Sequence, residues 1–124
     1  NIRSLISHHR EMRLQATLTA VQPPGRYGSL SFQENTITKF QEKPQGDGGW
    51  INGGFFVLEP STLDLIEGDE CSWEEAPLKK LVEDRQLGCY FHQGYWQPMD
   101  TLRDRQKLED LWMTGNAPWK LWKQ

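Results

Sequence analysis

"FQEKPQGDGGWINGGFFVLEP", residues 40–60, joins a charged pair, a glycine-rich stretch and an apolar run in one segment. Glu42 and Lys43 are adjacent and Pro44 follows, while five glycines fall between residues 46 and 54. "GGFFVLE" (53–59) reads as a buried strand. Pro60 closes it and suits the first turn of a short helix, because its missing N–H has no partner to lose there. A loop feeding a strand and a strand feeding a helix is the local pattern of an α/β chain.

Reading outward toward the N-terminus, "SLSF" (29–32) and "TITKFQE" (36–42) form a hairpin joined by "QEN", with Ile37 and Phe40 anchoring the second strand. "PPGRYG" (23–28) is a turn by composition, since proline fixes φ and glycine supplies positive φ. "ATLTAV" (16–21) is small, β-branched and uncharged, which predicts a buried strand. Ile2, Leu5, Ile6, His9 and Met12 recur at helical spacing and predict an amphipathic helix over 2–12. Toward the C-terminus, Ser72 with Glu75 fits a capping box that starts a helix running to about Asp84. "LGCYFHQ" (87–93) alternates as a strand. Asp100 or Thr101 caps a helix through about Met113, with Leu102, Leu108, Leu111 and Trp112 as its apolar positions. Gly115 ends that helix, and "APWKLW" (117–122) is a tail expected to dock through its tryptophans. The mixture lacks a strict βαβ beat, so the expected fold is α/β with a mixed sheet flanked by helices, in one domain over 1–124.

Composition narrows the function. The 124 residues carry 14 basic and 17 acidic side chains, a net charge of −3, and no basic block, which argues against a nucleic-acid partner. No apolar run approaches the roughly 20 residues that span a bilayer. Cys71 and Cys89 lack metal-ligand spacing, so reduced thiols in a cytoplasmic protein are expected. The chain opens "NIRSLISHHREM", already in a helical pattern and without Met, which reads as a fragment.

Three places could carry chemistry, and each has a plainer reading. Lys43 at a strand end can neutralise a phosphate while Glu42 accepts from hydroxyl groups; alternatively the two are a solvated ion pair. In "INGGFF" (51–56), two glycines entering a strand permit close approach of a ligand beside Asn52; alternatively they mark a bulge or bend. Asp100 in "GYWQPMDTLRD" (94–104) can ligate Mg²⁺; alternatively it is an N-cap. His8, His9 and His92 have no partners at ligand spacing and read as core or surface residues. No nucleophile elbow, zinc motif or P-loop is present.

Taken in order and spacing, "PPGRYGSL", "FQEKPQGDGGWINGGFFVL", "WEEAPLKKL", "GYWQPMDTLRD" and "APWKLW" resemble the glucose-1-phosphate cytidylyltransferases, a branch of the sugar nucleotidyltransferases. The resemblance covers nearly the whole chain but only the C-terminal half of that family's Rossmann-like fold. It implies the reaction of CTP with glucose 1-phosphate to give CDP-glucose and pyrophosphate. It further implies that Glu42 holds sugar hydroxyls, that Lys43 holds the substrate phosphate as the catalytic residue, and that Asn52 and Gly53 contact the sugar. Gly28 would offer close backbone approach, and Asp100 would be one Mg²⁺ ligand.

The family's glycine-rich "GGxGTRL" loop, cytosine pocket and second metal-binding aspartate are not among these 124 residues; the "GDG" at 46–48 belongs to the sugar-side loop. The expectation is therefore that the chain binds glucose 1-phosphate or a related sugar phosphate, and meets CTP only together with the missing half. A remnant that binds without catalysis, or one that only assembles, is the alternative. Loss of a half should also expose an edge of "ATLTAV" and an apolar sheet face, which predicts a homo-oligomer.

Overall fold

The computed structural model describes residues 1–23, 28–33, 36–42 and 49–123, with the strands at 28–33 and 36–42 described as backbone alone. The chain divides into two compact units, Asn1–Val21 with Trp50–His92, and Gln22–Gly49 with Gln93–Gln124.

The first unit is built on strand β1 (Ala16–Val21), whose residues are nearly all buried. The antiparallel strand β4 (Ile51–Leu58) lies on one side of it, and the parallel strand β5 (Leu87–His92) on the other. Helix α1 (Ile2–Met12) packs against all three strands, while α2 (Ala76–Glu83) packs against β5 and a 3-10 helix over Pro60–Leu65. The mixed sheet flanked by helices is thus present. The expected free edge of "ATLTAV" is not: both edges of β1 are paired, and β4 and β5 are the outer strands. Nor is the 53–59 segment buried as expected. It begins two residues earlier, at Ile51, and as an outer strand it leaves Phe55 58% exposed.

Asn1 caps α1, its Oδ1 accepting from Ser4 N at 3.2 Å. Only Leu5 and His9 of the expected stripe are buried, whereas Ile2 is 67% exposed. His9 is a core histidine. Its Nε2 lies 2.9 Å from Glu59 Oε1 and its Nδ1 2.8 Å from Thr17 Oγ1. An ionised Glu59 can only accept, so Nε2 donates to it, while Nδ1 shares a second hydrogen bond with the Thr17 hydroxyl. One imidazole thereby ties α1 to β1 and to the residue that follows β4. His8 Nε2 reaches the Cys89 carbonyl oxygen at 2.8 Å.

The capping box expected at Ser72 does not form. Glu75 stands at the N-cap of α2 without a side-chain bond, and its N–H turns back to the Ser72 carbonyl at 3.2 Å. Pro77 in the first turn explains the later start, because proline is favoured where the helix needs no N–H partner.

In the second unit, β2 (Gly28–Gln33) and β3 (Thr36–Glu42) form the expected antiparallel hairpin. Most of the expected turn at 23–28, and residues 34–35 of "QEN", lie outside the described residues. Helix α3 (Leu102–Met113) ends in the Schellman arrangement, the amides of Gly115 and Asn116 donating to the carbonyls of Trp112 and Leu111 at 3.1 and 2.9 Å. The tail docks through aromatic rings as expected: Trp119 meets Tyr95 at 5.8 Å, Trp122 meets Trp112 at 6.4 Å, and Lys120 Nζ lies 5.4 Å from the Trp112 ring.

Cys71 and Cys89 are free thiols. Burial pushes the Cys89 thiol up, opposed by a hydrogen bond with the Ala20 backbone. Among the described residues no helix is long and apolar enough to cross a membrane.

Replacing His9 by Ala strands the fully buried Thr17 hydroxyl and leaves a cavity under α1. The expected loss of stability in urea denaturation is about 2–4 kcal/mol. Ile2→Ala, on the exposed side of the same helix, should stay within about 0.5 kcal/mol.

Candidate functional site

In the first unit the candidate residues gather where the parallel strands β1 and β5 end and β4 begins. Open α/β sheets place ligands at the carboxyl ends of their parallel strands. β1 finishes at Val21 and β5 at His92, and the two are paired; Ile51 pairs with Val21 on the other side. One step inward, Asn52, Ala20 and Phe91 stand in register across the three strands.

The β1–β4 ladder is irregular here. Leu18 pairs with Phe56 and Ala20 with Asn52, so Thr19 alone faces Gly53, Gly54 and Phe55. Asn52 Oδ1 accepts from Gly54 N at 2.8 Å, closing a small turn within the bulge. Gly54 adopts φ +82°, a region that L side chains rarely occupy. Gly53 is buried, and a Cβ there would lie 2.8 Å from Val21 Cγ1 and 3.0 Å from the Thr19 carbonyl oxygen. The close approach that demands a glycine at 53 is therefore made by β1, and the bulge held open as an alternative in the sequence is real. Asn52 is exposed, and with Oδ1 engaged it presents its amide N–H donors.

In the second unit Gly28 and Glu42 face each other at the end of the hairpin ladder remote from the Gln33–Thr36 pair. A glycine opposite the acid leaves no Cβ on the facing strand. Lys43, the next residue, lies outside the described residues, as do 44–48.

Asp100 precedes α3, but it is not the cap. Thr101 is: its hydroxyl accepts from Asp104 N at 3.1 Å, while Asp104 Oδ2 accepts from the N–H groups of Thr101 and Asp100, both at 3.2 Å. Asp104 is buried and also accepts from Gln97 Nε2 at 3.3 Å, and Lys107 Nζ donates to Gln97 Oε1 at 3.1 Å. With the capping done by Thr101 and Asp104, the Asp100 carboxylate is exposed and takes no hydrogen bond from the described residues. The plainer reading of Asp100 is thereby removed.

An exposed single carboxylate fits Mg²⁺, which keeps several waters and is commonly held by one or two carboxylates plus substrate phosphates. No three His, Cys, Asp or Glu side chains converge among the described residues.

Sequence reasoning overlooked Asp104, and it read His9 as a core or surface residue without its partners. The Thr-x-x-Asp spacing of 101–104 was a legible signal for the first. His9 had none, because its partners lie 8 and 50 residues away.

Comparison with known proteins gives the class. A family model described as nucleotidyl transferase matches residues 1–107, and the chain belongs to that family. Among its relatives, the glucose-1-phosphate cytidylyltransferase of Salmonella typhi is 52% identical over 122 residues, covering 98% of this chain and 48% of that protein. The mannose-1-phosphate guanyltransferase of Debaryomyces hansenii is 36% identical over 117 residues, covering 90% of this chain and 32% of the relative. A Bacillus anthracis protein solved with a sucrose, and described as a glucose-1-phosphate thymidylyltransferase, superposes with a TM-score of 0.61. It covers 99% of this chain and 51% of its own, and at 15% identity it bears on the fold alone. The chain spans about half the length of the cytidylyltransferase it matches.

Gly53→Ala should lower stability by about 1–3 kcal/mol in thermal or urea unfolding without any ligand, since the new methyl meets the β1 backbone. An unchanged midpoint would show that β1 does not require the glycine.

Proposed function

We propose that this chain forms the sugar-phosphate side of a glucose-1-phosphate cytidylyltransferase, which joins CTP to glucose 1-phosphate and releases pyrophosphate. The observation that carries the reading is 52% identity, across 98% of the chain, to an enzyme of that name. The exposed donors of Asn52 at the sheet's carboxyl edge support it, as do the uncommitted carboxylate of Asp100 and the pairing of Gly28 with Glu42.

In this reading a phosphate oxygen of glucose 1-phosphate attacks the α-phosphorus of CTP, and the bond to pyrophosphate breaks as the new one forms. No covalent step on the protein is needed; positioning and charge neutralisation lower the barrier. Glu42 accepts from sugar hydroxyls, Lys43 neutralises the sugar's phosphate, and Gly28 leaves room for the ring. Asn52 donates to a hydroxyl, with the Gly53 backbone beside it. Asp100 would hold Mg²⁺, which supplies positive charge to the reacting phosphates. The reading assigns the sugar phosphate to these residues, and the glycine-rich triphosphate loop expected of the family is not among the 124.

Calorimetric titration with glucose 1-phosphate, with and without Mg²⁺, tests the reading. Saturable binding is expected, weakened about 10- to 100-fold by Lys43→Ala, the range for losing one hydrogen bond to a charged group. Absence of binding at millimolar ligand overturns it.

A homo-oligomer belongs to the same proposal, now resting on exposed apolar side chains of the first unit such as Phe55 and Leu63 rather than on an open β1 edge. Sedimentation velocity should show a species larger than 14.5 kDa, and a monodisperse monomer at micromolar concentration rejects it.

A further inference from the structure

Trp50 immediately precedes β4, and its ring packs edge-to-face on Phe91 of β5, with centroids 4.7 Å apart and an interplanar angle of 71°. Trp50 lies two residues along the chain from Asn52, and Phe91 stands in the cross-strand row with Asn52 and Ala20 at the carboxyl end of the parallel strands. Ala20 is buried at 4% exposure, so the rings and the amide around it, not its methyl, meet solvent. Trp50 is 36% exposed and Phe91 55%. Two large rings left open to water at this position gain from being covered by an apolar surface.

Asn52 narrows what that surface is. Its Oδ1 is held by the Gly54 N–H, which fixes the amide and leaves its two N–H donors facing outward, and hydroxyl oxygens are acceptors that suit them. A pyranose ring combines the two requirements. Its axial C–H bonds make one face apolar and attracted to the electron-rich face of an aromatic ring, while its hydroxyls project from the rim. We infer that Trp50 and Phe91 form the wall on which the hexose of the sugar phosphate packs, with Asn52 donating to a hydroxyl at its rim. The inference rests on the sugar-phosphate reading above and adds to it the residues that grip the ring itself.

The test follows the proton NMR spectrum of glucose 1-phosphate as the full 124-residue chain is added, with Trp50→Leu, Trp50→Phe and Phe91→Leu measured in parallel. Ring currents should move the protons on one sugar face upfield with the wild-type chain. Trp50→Leu should abolish that shift and weaken binding about three- to tenfold, and Trp50→Phe should restore most of both. Should Trp50→Leu fail to fold, Phe91→Leu and Trp50→Phe carry the same readout. Binding by the wild-type chain without upfield shifts, or with affinity and shifts unchanged in Trp50→Leu and Phe91→Leu, overturns the inference and leaves the sugar-phosphate reading standing. No binding by the wild-type chain removes that reading and the inference with it. A parallel titration with cytidine monophosphate separates the ligands: ring-dependent binding of the nucleotide in preference to the sugar phosphate assigns the wall to a base and overturns the inference.

Discussion

The backbone of β1 is hydrogen-bonded on both edges, and the first unit is arranged around that constraint. Pairing with β5 in parallel and β4 in antiparallel register sets Val21, His92 and Ile51 at one end of the sheet. His9 adds the third dimension. A buried imidazole must have both nitrogens satisfied, and Thr17 on β1 and Glu59 after β4 satisfy them while holding α1 over the strands. The bulge opposite Thr19 follows from the same strand: Gly53 gives way to β1, Gly54 takes up the turn, and Asn52 is left facing outward with its amide orientation set by the Gly54 N–H.

A comparable economy governs the start of α3. An aspartate before a helix is commonly its cap, and here a neighbour takes that place. Thr101 and Asp104 satisfy the exposed amides reciprocally, and Asp104 also holds the N–H of Asp100, so a buried acid fixes the backbone beneath an exposed one. The buried carboxylate is matched by donors from the chain and from Gln97, which is what its burial requires.

Much of the architecture was legible in short-range pattern. Helical spacing marked α1, β-branched and small residues marked β1, and the 36–42 strand with its partner read as a hairpin. The errors have different causes, one local and one not. Ser72 and Glu75 have the spacing of a capping box, but Pro77 places the first turn elsewhere. Residues 53–59 are apolar enough for a core strand, yet an outer position leaves Phe55 in solvent. Local composition cannot report which strand is central, because that is decided by pairing between segments far apart in the chain.

The sequence by itself determined the element types, the family and the side-chain chemistry of the candidates Glu42, Lys43, Asn52 and Asp100. Those properties depend on periodicity, spacing and side-chain chemistry, all of which are local. Tertiary structure alone decided that Gly53 yields to β1, that His9 is a clasp, and that Trp50 stands against Phe91 beside Asn52. Each of these depends on atoms brought within about 5 Å or less by strand register and helix packing, and no one-dimensional pattern encodes such distances.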